Sequence, residues 1–289
     1  MRASSIAVCL TLFAAATLCA CSRASQTTAS TQVTSSPAET ASGAIAMASP
    51  SAGASASAEA VSAANESPLP AASPTPSVSF TDIKGLPAEQ AIIAEANLGA
   101  LDSATGAFKP NAPITRGAFV KWLVKANNAY YADTPGEQIR PATSGQYFAD
   151  VPPSHPDYPY IQALADAGFV VGIDQKHFAP DRKLTREEMI AIKVGRDLKG
   201  DPYKDEGLGD VRAVYPFADA EKISKRYYDA VYGDDFDGSK NIPRIFGALK
   251  FFYPQRPVTR AEAALAIDKI GNYAPRTAEQ VAAGPSPTP

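Results

Sequence analysis

Apolar residues recur at helical spacing in several short stretches of the chain, and each stretch predicts an amphipathic helix. Residues 88–99 put Ala91, Ile92, Ala96 and Leu98 on one face, and residues 116–129 do the same with Phe119, Val120, Leu123 and Ala126. Trp122 lies beside that second stripe, where a lone Trp belongs to a core. Tyr160, Ile161, Leu164 and Ala165 form the next stripe, followed by Met189, Ile190 and Ile192 with Lys193 among them. Ala264, Leu265, Ala266 and Ile267 band the last stretch, residues 260–270. Two short helices cannot bury their own apolar faces, so the stretches must pack together as one unit.

Between the stripes a short motif is written three times: Ile114-Thr115-Arg116-Gly117-Ala118, Leu184-Thr185-Arg186-Glu187-Glu188 and Val258-Thr259-Arg260-Ala261-Glu262. An aromatic and a proline precede each copy, in Phe108-Lys109-Pro110, Phe178-Ala179-Pro180 and Tyr253-Pro254. Further upstream an aromatic-x-Asp opens each segment: Phe80-Thr81-Asp82, Phe148-Ala149-Asp150 and Phe217-Ala218-Asp219. The openings are about 68 residues apart, which is the signature of a tandem array.

The Thr of the motif can cap the first helical turn, and Glu188 and Glu262 stand where a capping box needs them; Ala118 does not. The Arg opposes the helix dipole at a cost of roughly 0.3–1 kcal/mol, so another interaction must favour it. Two readings stand. Each Arg pairs with an opening Asp and locks the segments together, or Arg116, Arg186 and Arg260 line clefts that take a carboxylate or phosphate.

These segments resemble S-layer homology repeats from Phe80 to about Gly271, and the second is nearest the pattern, with Phe148-Ala149-Asp150-Val151-Pro152, Gly168, Gly172, His177-Phe178-Ala179-Pro180-Asp181 and Leu184-Thr185-Arg186-Glu187-Glu188. The resemblance implies an all-α, pseudo-threefold fold of three helical repeats around a central three-helix bundle, with repeats at residues 79–131, 147–198 and 216–272. It also implies inter-repeat grooves that bind a cell-wall polysaccharide or peptidoglycan-linked glycan, often through an acidic substituent. Arg116, Arg186, Arg260, Asp82, Asp150 and Asp219 are the groove residues so implied. Gly172 fits a turn that lets backbone approach a ligand. The aromatic platform the repeats often carry falls near Tyr158, within Pro156-Asp157-Tyr158-Pro159, where the register is ambiguous.

The N-terminus reads as an address. Met1-Arg2 and the apolar run at residues 6–18 have the form of a secretory signal too short to span a bilayer. The run ends Leu18-Cys19-Ala20-Cys21, which resembles a lipobox: cleavage after residue 20 would leave Cys21 to carry lipid, while ordinary cleavage would release a soluble chain. Cys9, Cys19 and Cys21 are the only cysteines, so an acylated mature chain keeps no free thiol and no internal disulfide. Ser22 resembles an outer-membrane sorting residue, which predicts a lipid-anchored protein of the cell envelope, facing the periplasm or exported to the surface. Residues 21–78 are rich in Ala, Ser, Thr and Pro and read as a disordered tether, with a coil dimension of about 45 Å. Residues 273–289 read as a disordered tail.

Charge and motifs narrow the function. A formal charge of -3 without a basic run argues against a nucleic-acid partner. No phosphate loop, metal box or serine elbow is present, and no carboxylate pair is evident, so a non-catalytic protein without cofactors is expected. The acidic stretch Gly233-Asp234-Asp235-Phe236-Asp237-Gly238 misses the EF-hand template and reads as a solvated turn. His155 and His177 read as surface-loop residues. Two functions follow: an envelope lipoprotein linking a membrane to wall glycan, or a scaffold of the same build that contacts a protein.

Overall fold

The computed structural model describes residues 78–170, 172–200, 203–272 and 275–283. The leader, Cys21 and the tether up to residue 77 lie outside these, as do residues 284–289.

The second helix of each segment starts directly after the Thr of its motif. These helices are α2 (Arg116–Tyr130), α4 (Arg186–Asp197) and α8 (Arg260–Ile267). The first helices are α1 (Glu89–Asn97), α3 (Tyr158–Asp166) and α6 (Tyr228–Phe236), and the third segment adds α5 (Leu208–Val214) and α7 (Asn241–Phe246). The fold is mostly helical. Its strands are short pairs, β1 (Ser79–Phe80) parallel to β2 (Thr105–Gly106), and β3 (Lys269–Ile270) antiparallel to β4 (Arg276–Thr277).

The helical stripes meet in one core. Phe119, Val120, Trp122 and Leu123 of α2, Met189 and Ile190 of α4, and Ala264 and Ile267 of α8 are fully buried in it. Each large side chain so buried contributes about 1.5–3 kcal/mol. First helices pack on the second helix of the preceding segment: α3 on α2, α6 on α4, and α1 back on α8. The packing therefore runs in a circle.

The same circle is drawn by the backbone where the motifs begin. Ile114 N–H donates to Val258 O (3.1 Å), Val258 N–H to Leu184 O (2.8 Å) and Leu184 N–H to Ile114 O (3.0 Å). A helix start leaves N–H groups without intrahelical partners, and neighbouring segments satisfy them. Arg116, Arg186 and Arg260 donate their N–H groups to the carbonyls of Arg182, Arg256 and Ala112, and the following residues donate to Pro180, Pro254 and Pro110. Capping by Thr varies. Thr115 accepts from Ala118 N–H and Thr259 from Glu262 N–H, each at 3.2 Å. Glu188 accepts from Thr185 N–H at 3.1 Å, but among the described residues the buried Thr185 hydroxyl makes no hydrogen bond.

Two sequence expectations are corrected here. The acidic stretch is not a solvated turn: Asp234 and Asp237 are buried, because Asp234 takes Asn241 N–H (3.0 Å), Ile242 N–H (2.9 Å) and the Tyr215 hydroxyl (2.8 Å), capping α7. Gly238 is needed there, since a Cβ would lie 1.7 Å from Asn272 O. Residues 275–283, expected to be unstructured, instead supply β4 and α9 (Ala278–Ala282), with Thr277 and Gln280 forming a capping box. Buried Ala278 and the bond from Arg276 to Tyr130 O (2.7 Å) tie this segment to α2.

Candidate functional site

Each opening Asp holds a turn. Asp82 accepts Phe108 and Lys109 N–H groups (both 2.8 Å), Asp150 accepts those of Phe178 and Ala179 (2.8 and 2.7 Å), and Asp219 those of Phe252 and Tyr253 (2.7 and 2.9 Å). The second residue of each turn has positive φ, 60° at Lys109, 57° at Ala179 and 52° at Tyr253. That conformation costs a non-glycine residue on the order of 1 kcal/mol, and the paired carboxylate bonds offset it. The expected Arg–Asp salt bridges are therefore not what these aspartates make. The turns also correct a register: Phe252, buried like Phe108 and Phe178, is the aromatic of the third turn, and Tyr253 stands one place later, exposed.

The arginines reach across to the next turn in the circle. Arg116 donates from Nε to Phe178 O (2.8 Å), Arg186 from Nη1 to Phe252 O (2.9 Å) and Arg260 from Nε to Phe108 O (2.8 Å). Each guanidinium also lies on an aromatic ring, Arg116 on Phe178 (4.5 Å), Arg186 on Phe246 (4.1 Å), and Arg260 on both Phe108 (4.8 Å) and Trp122 (4.7 Å). Such stacking favours a partly desolvated cation. The favourable partner that the dipole argument demanded is thus a carbonyl, a ring and, in two cases, a carboxylate.

Those two cases are closed. Arg116, 1% exposed, pairs with Glu188 at 3.2 Å, and Glu188 also binds Arg182. Burial alone would raise the Glu188 carboxyl, but Arg116, Thr185 N–H and Arg182 together hold it below the usual range. Arg186, 3% exposed, pairs with Glu262 at 3.1 Å, with Arg256 at 3.6 Å from the same oxygen. Arg260 differs. Its side chain is 20% exposed, and its carboxylate neighbour, Asp102, lies 3.9 Å from Nη1.

Gly172 serves its own loop. A Cβ there would stand 2.4 Å from His177 O, 2.5 Å from Asp174 O and 2.7 Å from the Phe148 ring, while Gly172 O accepts from Arg226 at 2.7 Å. His177 bonds Asp174 at the surface, and Trp122 is in the core with Nε1 donating to Asp102 at 3.0 Å. Tyr158 is buried, and its hydroxyl donates to Gly145 O at 2.7 Å. Residues that sequence reasoning missed are Glu188 and Glu262 as arginine partners, whose only visible role was capping, and Asp102, which no motif marks. Among the described residues no group of His, Cys, Asp and Glu is arranged to hold a metal, and no helix is long and apolar enough to cross a membrane.

Comparison with known proteins bears on these junctions. Two stretches match the S-layer homology domain. They are residues 79–120 and 147–190, which contain the first and second openings and Thr-Arg motifs. S-layer homology domains generally anchor proteins to cell-wall polymers, and they place their carriers at the cell envelope. The chain is 28% identical over 209 residues to an amylopullulanase of Thermoanaerobacterium thermosulfurigenes, covering 67% of this chain and 10% of that protein. It is 27% identical over 201 residues to the exoglucanase XynX of Acetivibrio thermocellus, covering 66% of this chain and 16% of that protein. The chain thus spans between about a tenth and a sixth of the length of these curated relatives. So small a share carries no implication for catalysis in this chain.

Proposed function

We propose that the chain is a non-catalytic envelope protein whose three segments form one pseudo-threefold S-layer homology unit that binds a wall polysaccharide non-covalently. The observation that carries this reading is the circular interlock of the Thr-Arg motifs, two of which lie within the matched stretches. The third segment enters the circle through the same three bonds as the others: a clamped turn, a backbone link through Val258, and an Arg on the next aromatic carbonyl. We extend the reading to an acyl chain at Cys21 that holds an outer membrane, with the segment up to residue 77 spacing that membrane from the wall. Two or three acyl chains make such anchoring effectively permanent, and weak wall contacts then add through high local concentration.

Co-sedimentation of the purified chain with wall sacculi from the native host tests the binding, and a chain that stays in the supernatant overturns it. Mass spectrometry of the mature N-terminus tests the lipid, which adds a fixed mass to Cys21. A protein-interaction scaffold is the second reading, favoured by the internal commitment of Arg116 and Arg186. It predicts no wall binding with full folding.

A further inference from the structure

The fold leaves one buried cation without a counter-charge, at the far end of α4. Arg196 stands in the last turn of that helix, about 15 Å along its axis from Arg186 and so away from the Thr-Arg junctions. Among the described residues three arginines are almost wholly enclosed, Arg116, Arg186 and Arg196, with 1, 3 and 2% of their surface exposed. The first two have a carboxylate within 4 Å, and among the described residues Arg196 has none. What holds it is neutral: Nε donates to Asn127 Oδ1 at 2.6 Å, and the guanidinium lies 5.3 Å from the centre of the Tyr131 ring and 5.9 Å from that of Phe169. Nη2 is buried and hydrogen-bonds nothing among the described residues. Burying a cation so is costly, and ring stacking offsets only part of that cost.

Arg196 lines a cleft of about 580 Å³, within the range of small-molecule sites. One wall is the irregular segment 136–144, and it is firmly built. Asn127, the partner of Arg196, also donates from Nδ2 to Glu137 O at 3.0 Å, while Asn128 donates to Ile139 O and accepts from Ile139 N–H, both at 2.8 Å. Arg140 follows on that wall, exposed, its side chain making no ion pair or hydrogen bond among the described residues. The acids of the cleft are already engaged: Glu137 pairs with Lys199 at 2.5 Å, and Asp166 accepts from Gln162 Nε2 at 2.6 Å. The cleft therefore offers two guanidiniums without carboxylate partners, one rigid and one at the surface, beside the apolar groups of Ala163, Ala167 and Phe169.

The surroundings decide which anion fits. Helices α3 and α4 both end here, at Asp166 and Asp197, and the negative ends of their dipoles oppose a doubly charged phosphate more than a singly charged group. A guanidinium fork matches a carboxylate, and small side chains leave room for a short aliphatic group beside it. We infer that this cleft is a binding site for an aliphatic monocarboxylate, free or as the carboxyl end of a peptide with a small last residue, held by Arg196 and Arg140. The approach to Arg196 runs past the Lys199–Glu137 pair, which borders both this cleft and a neighbouring one of about 380 Å³ that Arg196 also lines. A pair so near the surface is loosely held and yields readily. This site is separate from the Thr-Arg junctions and from the wall-binding reading they carry.

The test is a nuclear magnetic resonance titration of the purified full chain with four probes: propionate, N-acetyl-alanyl-alanine, the C-terminal amide of that dipeptide, and inorganic phosphate. The dipeptide acid should saturably move the amide signals of residues 137–144 and the Nε–H signal of Arg196, with a dissociation constant below about 1 mM. Its amide should bind at least about tenfold more weakly, because the charge that meets the guanidinium is gone. Propionate binding as tightly as the dipeptide marks a free acid as the source, and a dipeptide at least about tenfold tighter marks a peptide end. Either result upholds the carboxylate site. Arg196→Gln should abolish the shifts. If that variant folds poorly, Arg140→Ala at the surface takes its place, with affinity for the dipeptide acid expected to fall about threefold. No saturable shift with either acid, equal affinity for the acid and the amide, phosphate binding as tightly as the acids, or unchanged affinity in a folded Arg196→Gln or Arg140→Ala chain would each overturn the assignment.

Discussion

The two ends of α4 bury the same kinds of charge in different ways. At its start, Arg186 and Glu188 belong to a pattern that recurs around the circle, and each is matched by a group from a neighbouring segment. At its end, Lys193 and Asp197 pair with each other one turn apart, both fully enclosed. Asp197 also accepts Gly271 N–H at 3.1 Å, and Asp237 beside it accepts Asn241 Nδ2 at 2.9 Å and Ser239 N–H at 2.9 Å. Burial, with the charge of Asp197 added, pushes the Asp237 carboxyl up to about 8. The repeated end shows what the array needs in order to close. The other end shows charges buried without a motif: a Lys–Asp pair of the second segment, surrounded by groups that the third segment brings around α7.

That contrast can be broken most severely at Lys193. Lys193→Ala leaves a buried carboxylate without its cation and should cost about 3–5 kcal/mol in urea unfolding, whereas Lys193→Met with Asp197→Leu should recover only part of it, because Gly271 N–H then loses its acceptor. Arg186→Ala at the opposite end should cost less, about 2–3 kcal/mol, because Arg256 remains near Glu262.

A pH scan sharpens the comparison further. Glu95 is buried and accepts from the Tyr130 hydroxyl; burial raises its carboxyl to about 8, and that hydrogen bond and the charge of Lys193 only partly oppose this. The folded state therefore keeps a proton that the unfolded chain releases near 4.5. Stability should fall as pH rises from about 5 to 8, Glu95 contributing up to about 1.4 kcal/mol per pH unit and the raised Asp237 carboxyl adding a slope of the same sign, and level off above, with Glu95→Gln reducing the slope. The smallest effect belongs to Arg260→Ala. Lacking a close carboxylate, it should cost about 1 kcal/mol, roughly one carbonyl hydrogen bond, in the same denaturation assay.

Sequence made the helix starts legible because capping is local: Thr and the residue three places on lie in the same few positions. It left the partner of each Arg open, since Phe178 O and Glu188 are brought to Arg116 only by closure across segments. The opening aspartates invited an ion-pair reading, yet the groups they hold are backbone amides 26 to 34 positions away. Those amides carry no side-chain signature, and an extra aromatic at Tyr253 hid the third turn by one residue. In the third segment, Gly and Asp crowded together look like a surface turn; only the arrival of α7 over Asp234 makes them interior. Residues 275–283 were obscured by the prolines around them, although Thr277 and Gln280 had the spacing of a cap.

The three-way exchange among Ile114, Leu184 and Val258 has a consequence for how the molecule can evolve and fail. An open stack of repeats can be lengthened or trimmed one unit at a time, because each unit leans only on its neighbours. Here the last aliphatic feeds the first, so deleting the C-terminal segment strips Ile114 of its acceptor and Leu184 of a donor at a distance. A fourth copy would have no gap to enter, and a truncated chain should lose its remaining segments together.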